Sequence, residues 1–282
     1  MRKFIKVILI TASIMFTIGL ILVITGLLSG GRFKNISIIG GHIKDTVSID
    51  EDYSNKTIEN LDLELAAGNL HIKEGDTFRV TGKRIIKDSL EVGVDNNTLY
   101  IKEKEDYGWG WLVHIGQFFY SNEADITVTI PKNFTAKNTE LEVHAGELDL
   151  EKLTTDHLDV NVRAGDVVLD KLTVTTKASI DVSAGKVIGE DFNGKNLEID
   201  VSAGSCSLEG AFYDTLDMEC SAGHIKIDSS LEENQYSYDL DQSAGSIHVN
   251  GESYKHYDGK NEDAANHIMA KTSAGSIKIE TK

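Results

Sequence analysis

The sequence predicts an all-β protein: a β-solenoid or β-helix-like stack of 19–20-residue coils, preceded by one N-terminal transmembrane helix. Three observations predict it. Short runs alternate apolar and polar residues in a chain of 282 residues with 25 glycines and one proline, a composition suited to many short strands joined by tight turns. The hexapeptide "IDVSAG" at Ile180–Gly185 returns unchanged at Ile199–Gly204. Near the N-terminus, 22 consecutive residues carry no charge.

That uncharged run, Val7–Leu28, is long enough to cross a hydrocarbon core of about 30 Å. Arg2, Lys3 and Lys6 precede it, so residues 1–6 are expected in the cytoplasm and the remainder outside the cell membrane. Arg32 and Lys34 weaken this asymmetry without reversing it. A cleaved signal peptide is the competing reading. The run is longer than the usual signal core and no clear small-x-small site follows it, so an uncleaved anchor over 7–28 and a linker over 29–44 are expected.

Every acid lies after the anchor. From residue 35 onward 45 Asp and Glu face 23 Lys and Arg (28 less the five before it), a net charge of −22. Such a domain repels nucleic acid and anionic lipid, and neither is expected as a partner. Two cysteines do not make a disulfide framework.

Residues 45–136 form an N-terminal β part in which "FRVTGKRI", "TLYIKEK" and "ADITVTIPK" alternate, with Pro131 where a missing donor does least harm. An aromatic loop, 105–122, interrupts it with "YGWGWLVHIGQFFY" at Tyr107–Tyr120. Trp109, Trp111, Phe118, Phe119 and Tyr120 are candidate partner-binding residues, since Trp and Tyr suit both protein and membrane interfaces. The other reading is a cap over the open end of the apolar core, which repeat arrays require.

Residues 137–282 carry the repeat. With each Ala-Gly glycine as position zero, the copies centre on Gly146, Gly165, Gly185, Gly204, Gly223, Gly245 and Gly275, at spacings of 19, 20, 19, 19, 22 and 30. An earlier copy centres on Gly68, and a polar insertion at 250–268 accounts for the longest spacing. Positions −5, −3 and +2 are apolar in most copies, and −1 is Ala in all of them. Period-two alternation on both sides of the glycine means strand, turn, strand with one buried face. The phase changes at the glycine, as at a corner or bulge, where positive φ would be free and Ala at −1 would point inward. A meander with hairpin turns satisfies the same phase. The near-constant period and the like-on-like apolar columns favour stacked coils.

The uncharged segment, "NNTLYIKEK", "ITVTIPKNF" and the serial "SAG" units together resemble the bacterial candidate-adhesin family of β-strand-repeat (SAG-repeat), membrane-anchored proteins of unknown function. The resemblance covers residues 45–282 and implies a β-solenoid-like extracytoplasmic domain with no catalytic motif to carry over. It also suggests proximity to envelope-stress regulators, so an accessory role in such a system is the alternative to an adhesin-like scaffold that contacts an unknown envelope protein or surface ligand. A glycan-active solenoid enzyme is a distant third.

The residues that could carry chemistry are few. Asp181, Asp200, Glu219 and Asp241 occupy the outward position −4, and stacking in chain order would align them about 4.8 Å apart as a candidate Ca²⁺ column. A solvated acidic face is the plainer reading. Cys206 and Cys220 fall on inward positions as small hydrophobes, with a disulfide between neighbouring units as the other reading. Serines recur at −2 without a histidine placed beside them as a base, and no metalloprotease, hydrolase or phosphate-loop motif is present, so no catalytic residue or cofactor is expected. The last repeat runs almost to residue 282, leaving an edge open to self-association, with Lys271, Lys278 and Lys282 as its guard.

Overall fold

The computed structural model describes residues 36–39, 42–103, 124–259, 261 and 263–282. The expected anchor at 7–28 lies outside them, as does the loop 105–122 with Trp109, Trp111, Phe118, Phe119 and Tyr120. Among the described residues no helix is long and apolar enough to cross a membrane.

The described residues open with β1 (Ile36–Ile39) and β2 (His42–Asp52), then the first copy of the repeat, β3 (Asn60–Leu65) and β4 (Asn69–Gly75). Next come β5 (Arg79–Ile86), β6 (Leu90–Asp95), β7 (Thr98–Glu103) and β8 (Asp125–Pro131). The regular array follows: β9 (Thr135–Val143), β10 (Glu147–Leu150), β11 (Leu153–Val162), β12 (Asp166–Asp170), β13 (Leu172–Val182), β14 (Lys186–Val201), β15 (Ser205–Cys220) and β16 (His224–Ser229). A 3₁₀ turn at Glu233–Gln235 leads to β17 (Tyr236–Gln242), β18 (Ser246–Val249), β19 (Glu252–Tyr254), β20 (His256–Gly259), β21 (Asn266–Thr272) and β22 (Ser276–Glu280).

Each copy of the repeat is one coil whose strands lie parallel, residue on equivalent residue, against those of the next. Val160 stands between Leu141 and Ile180, and Val167 between Leu148 and Val187. Two parallel sheets result: one from the strands before the glycine, the other from those after it. A shorter third side carries Leu172, Val174, Phe192 and Phe212 inward. The apolar columns from all three sides fill one continuous core, with Phe192 and Phe212 stacked 6.3 Å apart.

The corner has a steric cause more than a conformational one. Only Gly68 and Gly146 of the corner glycines have positive φ, +112° and +118°. What excludes a side chain is the approach of the neighbouring coil: a Cβ on Gly185 would lie 2.2 Å from the carbonyl oxygen of Gly165, and one on Gly204 2.3 Å from that of Gly185. Hydrogen bonds between coils continue round the bend, as Ser202 N–H donates to Val182, Ala203 to Ser183 and Ser205 to Gly185. Ala203 itself is exposed, as are Ala164, Ala184 and Ala222. The inward residue at the bend is thus the glycine, not the alanine that alternation suggests.

The stack departs from chain order at both ends. At one end β7 and β8 come later in sequence than β3 and β4, yet pair parallel outside them. Antiparallel β6, β5 and β2 then close that end. At the other end the last coil, β21–β22, inserts between the Gly223 coil and the Gly245 coil. The final repeat is therefore interior, not an open edge. The reason lies in side chains and connection. Ile268, Ala270, Ile277 and Ile279 are fully buried and suit a position covered on both sides. The Gly245 coil instead carries the insertion, whose strands β19 and β20 fold back antiparallel onto β18 and β17. Those polar strands need a free sheet edge to pair with, and only an outermost coil offers one. Tyr236, Tyr238 and Tyr254 pack at this end.

Candidate functional site

Alternation fixes what each sheet shows to solvent. On the sheet before the glycine, positions −6 and −4 point outward, and parallel register sets them in columns at the strand spacing of about 4.8 Å. The −4 column reads Glu64, Glu142, Asn161, Asp181, Asp200, Glu219, Lys271, Asp241 in spatial order. The −6 column reads Asp62, Glu140, Asp159, Ser179, Glu198, Asp217, Met269, Asp239. A face rich in carboxylates thus extends between Lys102, 2.6 Å from Asp62, and Lys271, 3.5 Å from Glu219.

Of the acidic residues singled out from sequence, Asp181, Asp200 and Glu219 stand on successive rungs. Asp241 does not join them: Lys271 occupies the rung between Glu219 and Asp241 because the last coil is inserted there. Cys206 and Cys220 are buried free thiols: Cys206 stacks between Val187 and Ile225, Cys220 between Val201 and Thr272, and burial pushes the Cys206 thiol up to about 12.

Crowding leaves a signature on this face. Partial burial against the sheet, followed by the charges of Asp181, Glu219 and Glu198, holds the Asp200 carboxyl above the usual carboxylate range. Burial and then Asp181 do the same for Asp159, and burial and then Asp62 and Asp159 for Glu140. Asp217 is raised by burial against the weaker opposing pull of Lys271, and its Oδ1 is buried with no hydrogen-bond partner. Asp50, Asp52 and Glu59 go the other way, lowered chiefly by hydrogen bonds from Arg79, Ser54 and Lys137 respectively.

These directions fix a pH dependence. A raised carboxylate binds protons more readily in the folded chain, so stability rises as pH falls from neutrality through the raised values, and the gain is complete below the ordinary range near about 4. The lowered group loses its contribution only at more acid pH. Thermal melts are expected to shift upward between pH 7.5 and pH 5, and Asp200→Asn to stabilise at pH 7.5 but not at pH 4. Melts that fall steadily with acidification from neutrality would contradict the crowding described here.

Sequence reasoning missed one cluster. Glu64 and Glu142 oppose each other across β3 and β9, and His144 follows two residues after Glu142. Its Nε2 lies 3.0 Å from Glu142 Oε1 and 3.7 Å from Glu64 Oε1. The available signal was a histidine at −2 where the copies from Gly185 onward have serine, beside a glutamate at −4 in both the Gly68 and Gly146 copies. The other sheet is mixed in charge. It holds a groove of about 440 Å³ lined in part by His71, Lys73, Asp149, Glu151 and Asp170, with His71 Nδ1 3.0 Å from Asp149.

Several solved structures resemble this chain. A candidate lipid-binding protein from Parabacteroides distasonis is 15% identical, with 86% of this chain and 98% of that one covered at a TM-score of 0.49. A candidate adhesin from Bacteroides fragilis is 17% identical, covering 83% and 97% at 0.44. A candidate cell adhesion protein from Clostridium sporogenes is 12% identical, covering 84% and 100% at 0.38. No curated protein matches. The Toastrack DUF4097 family model matches residues 58–280, across both parallel sheets, and the chain belongs to that family.

Proposed function

We propose that this protein is a non-enzymatic, adhesin-like surface module, held in the cell membrane by residues 7–28, that displays its β-repeat domain outside the cell and binds a partner through the carboxylate face. The observation that carries the reading is the carboxylate columns at −6 and −4, held in register between Lys102 and Lys271. A core filled by side chains gives this lattice a rigid backing, so little ordering entropy is lost on binding. Partly desolvated carboxylates favour a cationic ligand, and the partner class is an envelope protein or surface polymer with a basic patch. Trp109, Trp111, Phe118, Phe119 and Tyr120 form a second contact in this proposal, on sequence grounds alone.

The test is site-specific photocrosslinking in intact cells. A crosslinker at Ser179, amid the acidic columns, is expected to capture a distinct product that Asp181→Asn/Asp200→Asn suppresses. The same crosslinker at Ser207, on the other sheet, is expected to capture none. Equal labelling from both faces, or a product indifferent to the paired Asn substitutions, would refute the acidic face as the binding surface.

A further inference from the structure

We propose that Glu64, Glu142 and His144 form a binding site for one first-row divalent transition-metal ion, of which Zn²⁺ is the best fit. The three residues offer one imidazole nitrogen and two carboxylate oxygens, all within 4.8 Å of one another and all half-buried. A tetrahedral zinc with bonds of about 2.0–2.2 Å needs its ligand atoms about 3.4 Å apart. The observed separations of 3.0 and 3.7 Å from His144 Nε2 bracket that value. The fourth position is left for water or for a side chain of a partner.

The backbone holds this arrangement in place. Glu64 and Glu142 are directly paired residues of adjacent parallel strands, and His144 N–H donates 2.9 Å to Leu65 O, tying the first residue past β9 to the neighbouring coil. Two carboxylates on facing rungs repel, and a cation between them removes that repulsion. The imidazole decides the class of ion: it suits zinc, nickel or copper, whereas Ca²⁺ and Mg²⁺ prefer oxygen alone. This sets the cluster apart from Asp181, Asp200 and Glu219, which offer only oxygen. Arg163 is the built-in competitor. Its Nη2 lies 3.0 Å from Glu142 Oε1, and with the side chain largely exposed it can swing into solvent when a metal arrives.

The experiment is calorimetric titration of the untagged full-length chain with Zn²⁺, paired with the visible spectrum of the Co²⁺ form. Wild type is expected to bind one tight equivalent and to give the intense absorption of tetrahedral cobalt. Loss of a direct ligand should cost at least the roughly 10–100-fold that loss of an outer-shell partner costs. His144→Ala is therefore expected to weaken binding by tenfold or more and to abolish the cobalt spectrum. Glu64→Gln serves as a second variant, should His144→Ala fail to fold by circular dichroism. Arg163→Gln is expected to tighten binding, which a purely structural ion-pair network would not do. No tight equivalent in wild type, or one that persists undiminished in His144→Ala and Glu64→Gln, overturns the proposal.

Discussion

Gly204→Ala is expected to destabilise the domain by about 3 kcal/mol or more, the upper range for forcing an atom into a packed site. The added methyl would sit 2.3 Å from Gly185 O and 2.7 Å from Val182 Cγ1. Neither neighbour can yield easily. Gly185 O accepts the hydrogen bond from Ser205, and Val182 is fully buried. Relief would require the two coils to separate at the corner, breaking the bonds that Ser202, Ala203 and Ser205 N–H make to the preceding coil. Gly251→Asn is the control: it lies in the β18–β19 turn with φ of +83° and nothing within 4 Å of its would-be Cβ. Asn tolerates that conformation, so the cost there should stay below about 1 kcal/mol. Urea denaturation of the two variants reads the contrast. Equal, small effects would mean that the corner glycines serve conformation and not coil-to-coil approach.

Ending the chain at Ala265 is expected to release everything after β16, not merely to fray a tail. The deleted strands β21 and β22 lie between the Gly223 and Gly245 coils and pair with both. Their three fully buried isoleucines, Ile268, Ile277 and Ile279, each contribute roughly 1.5–3 kcal/mol of burial. Without them the only ladder pairings of β17 and β18 are with the antiparallel strands β20 and β19 of their own insertion. Hydrogen exchange of the shortened chain should show loss of protection in β17–β20 while β9–β15 retain theirs, as expected for an array stabilised by nearest-neighbour contacts. Protection retained in β17 and β18 would place the Gly245 coil directly on the Gly223 coil.

The columns were legible in the sequence because burial acts on one residue at a time. Val160, Ile180, Ile199 and Met218 occupy one inward track, and each had to be apolar whatever its neighbour. The order of the coils was not legible, because both orders bury the same tracks. Gly245 follows Gly223 by 22 residues and Gly275 follows it by 52, so proximity favoured the wrong neighbour. The decisive information was the polar insertion, which can pair only at an edge. The acidic face was legible as alternation around Asp181 and Asp200, but its limit at Lys271 depends on the coil order. The Glu64–Glu142–His144 cluster was hidden for a related reason: its glutamates lie 78 residues apart, brought together by a coil that precedes the regular array.

The order of rungs on the carboxylate face can be read directly by paired cysteines in a chain with Cys206 and Cys220 replaced by Ala. Neighbouring strands lie about 4.8 Å apart, within the roughly 4.4–6.8 Å spanned by disulfide-linked Cα atoms, whereas two rungs span about 9.6 Å. Under mild oxidation, Glu219→Cys/Lys271→Cys should crosslink and Glu219→Cys/Asp241→Cys should not. A crosslink between 219 and 241 with none between 219 and 271 would contradict the inserted coil and, with it, the boundary of the face on which the proposed function rests.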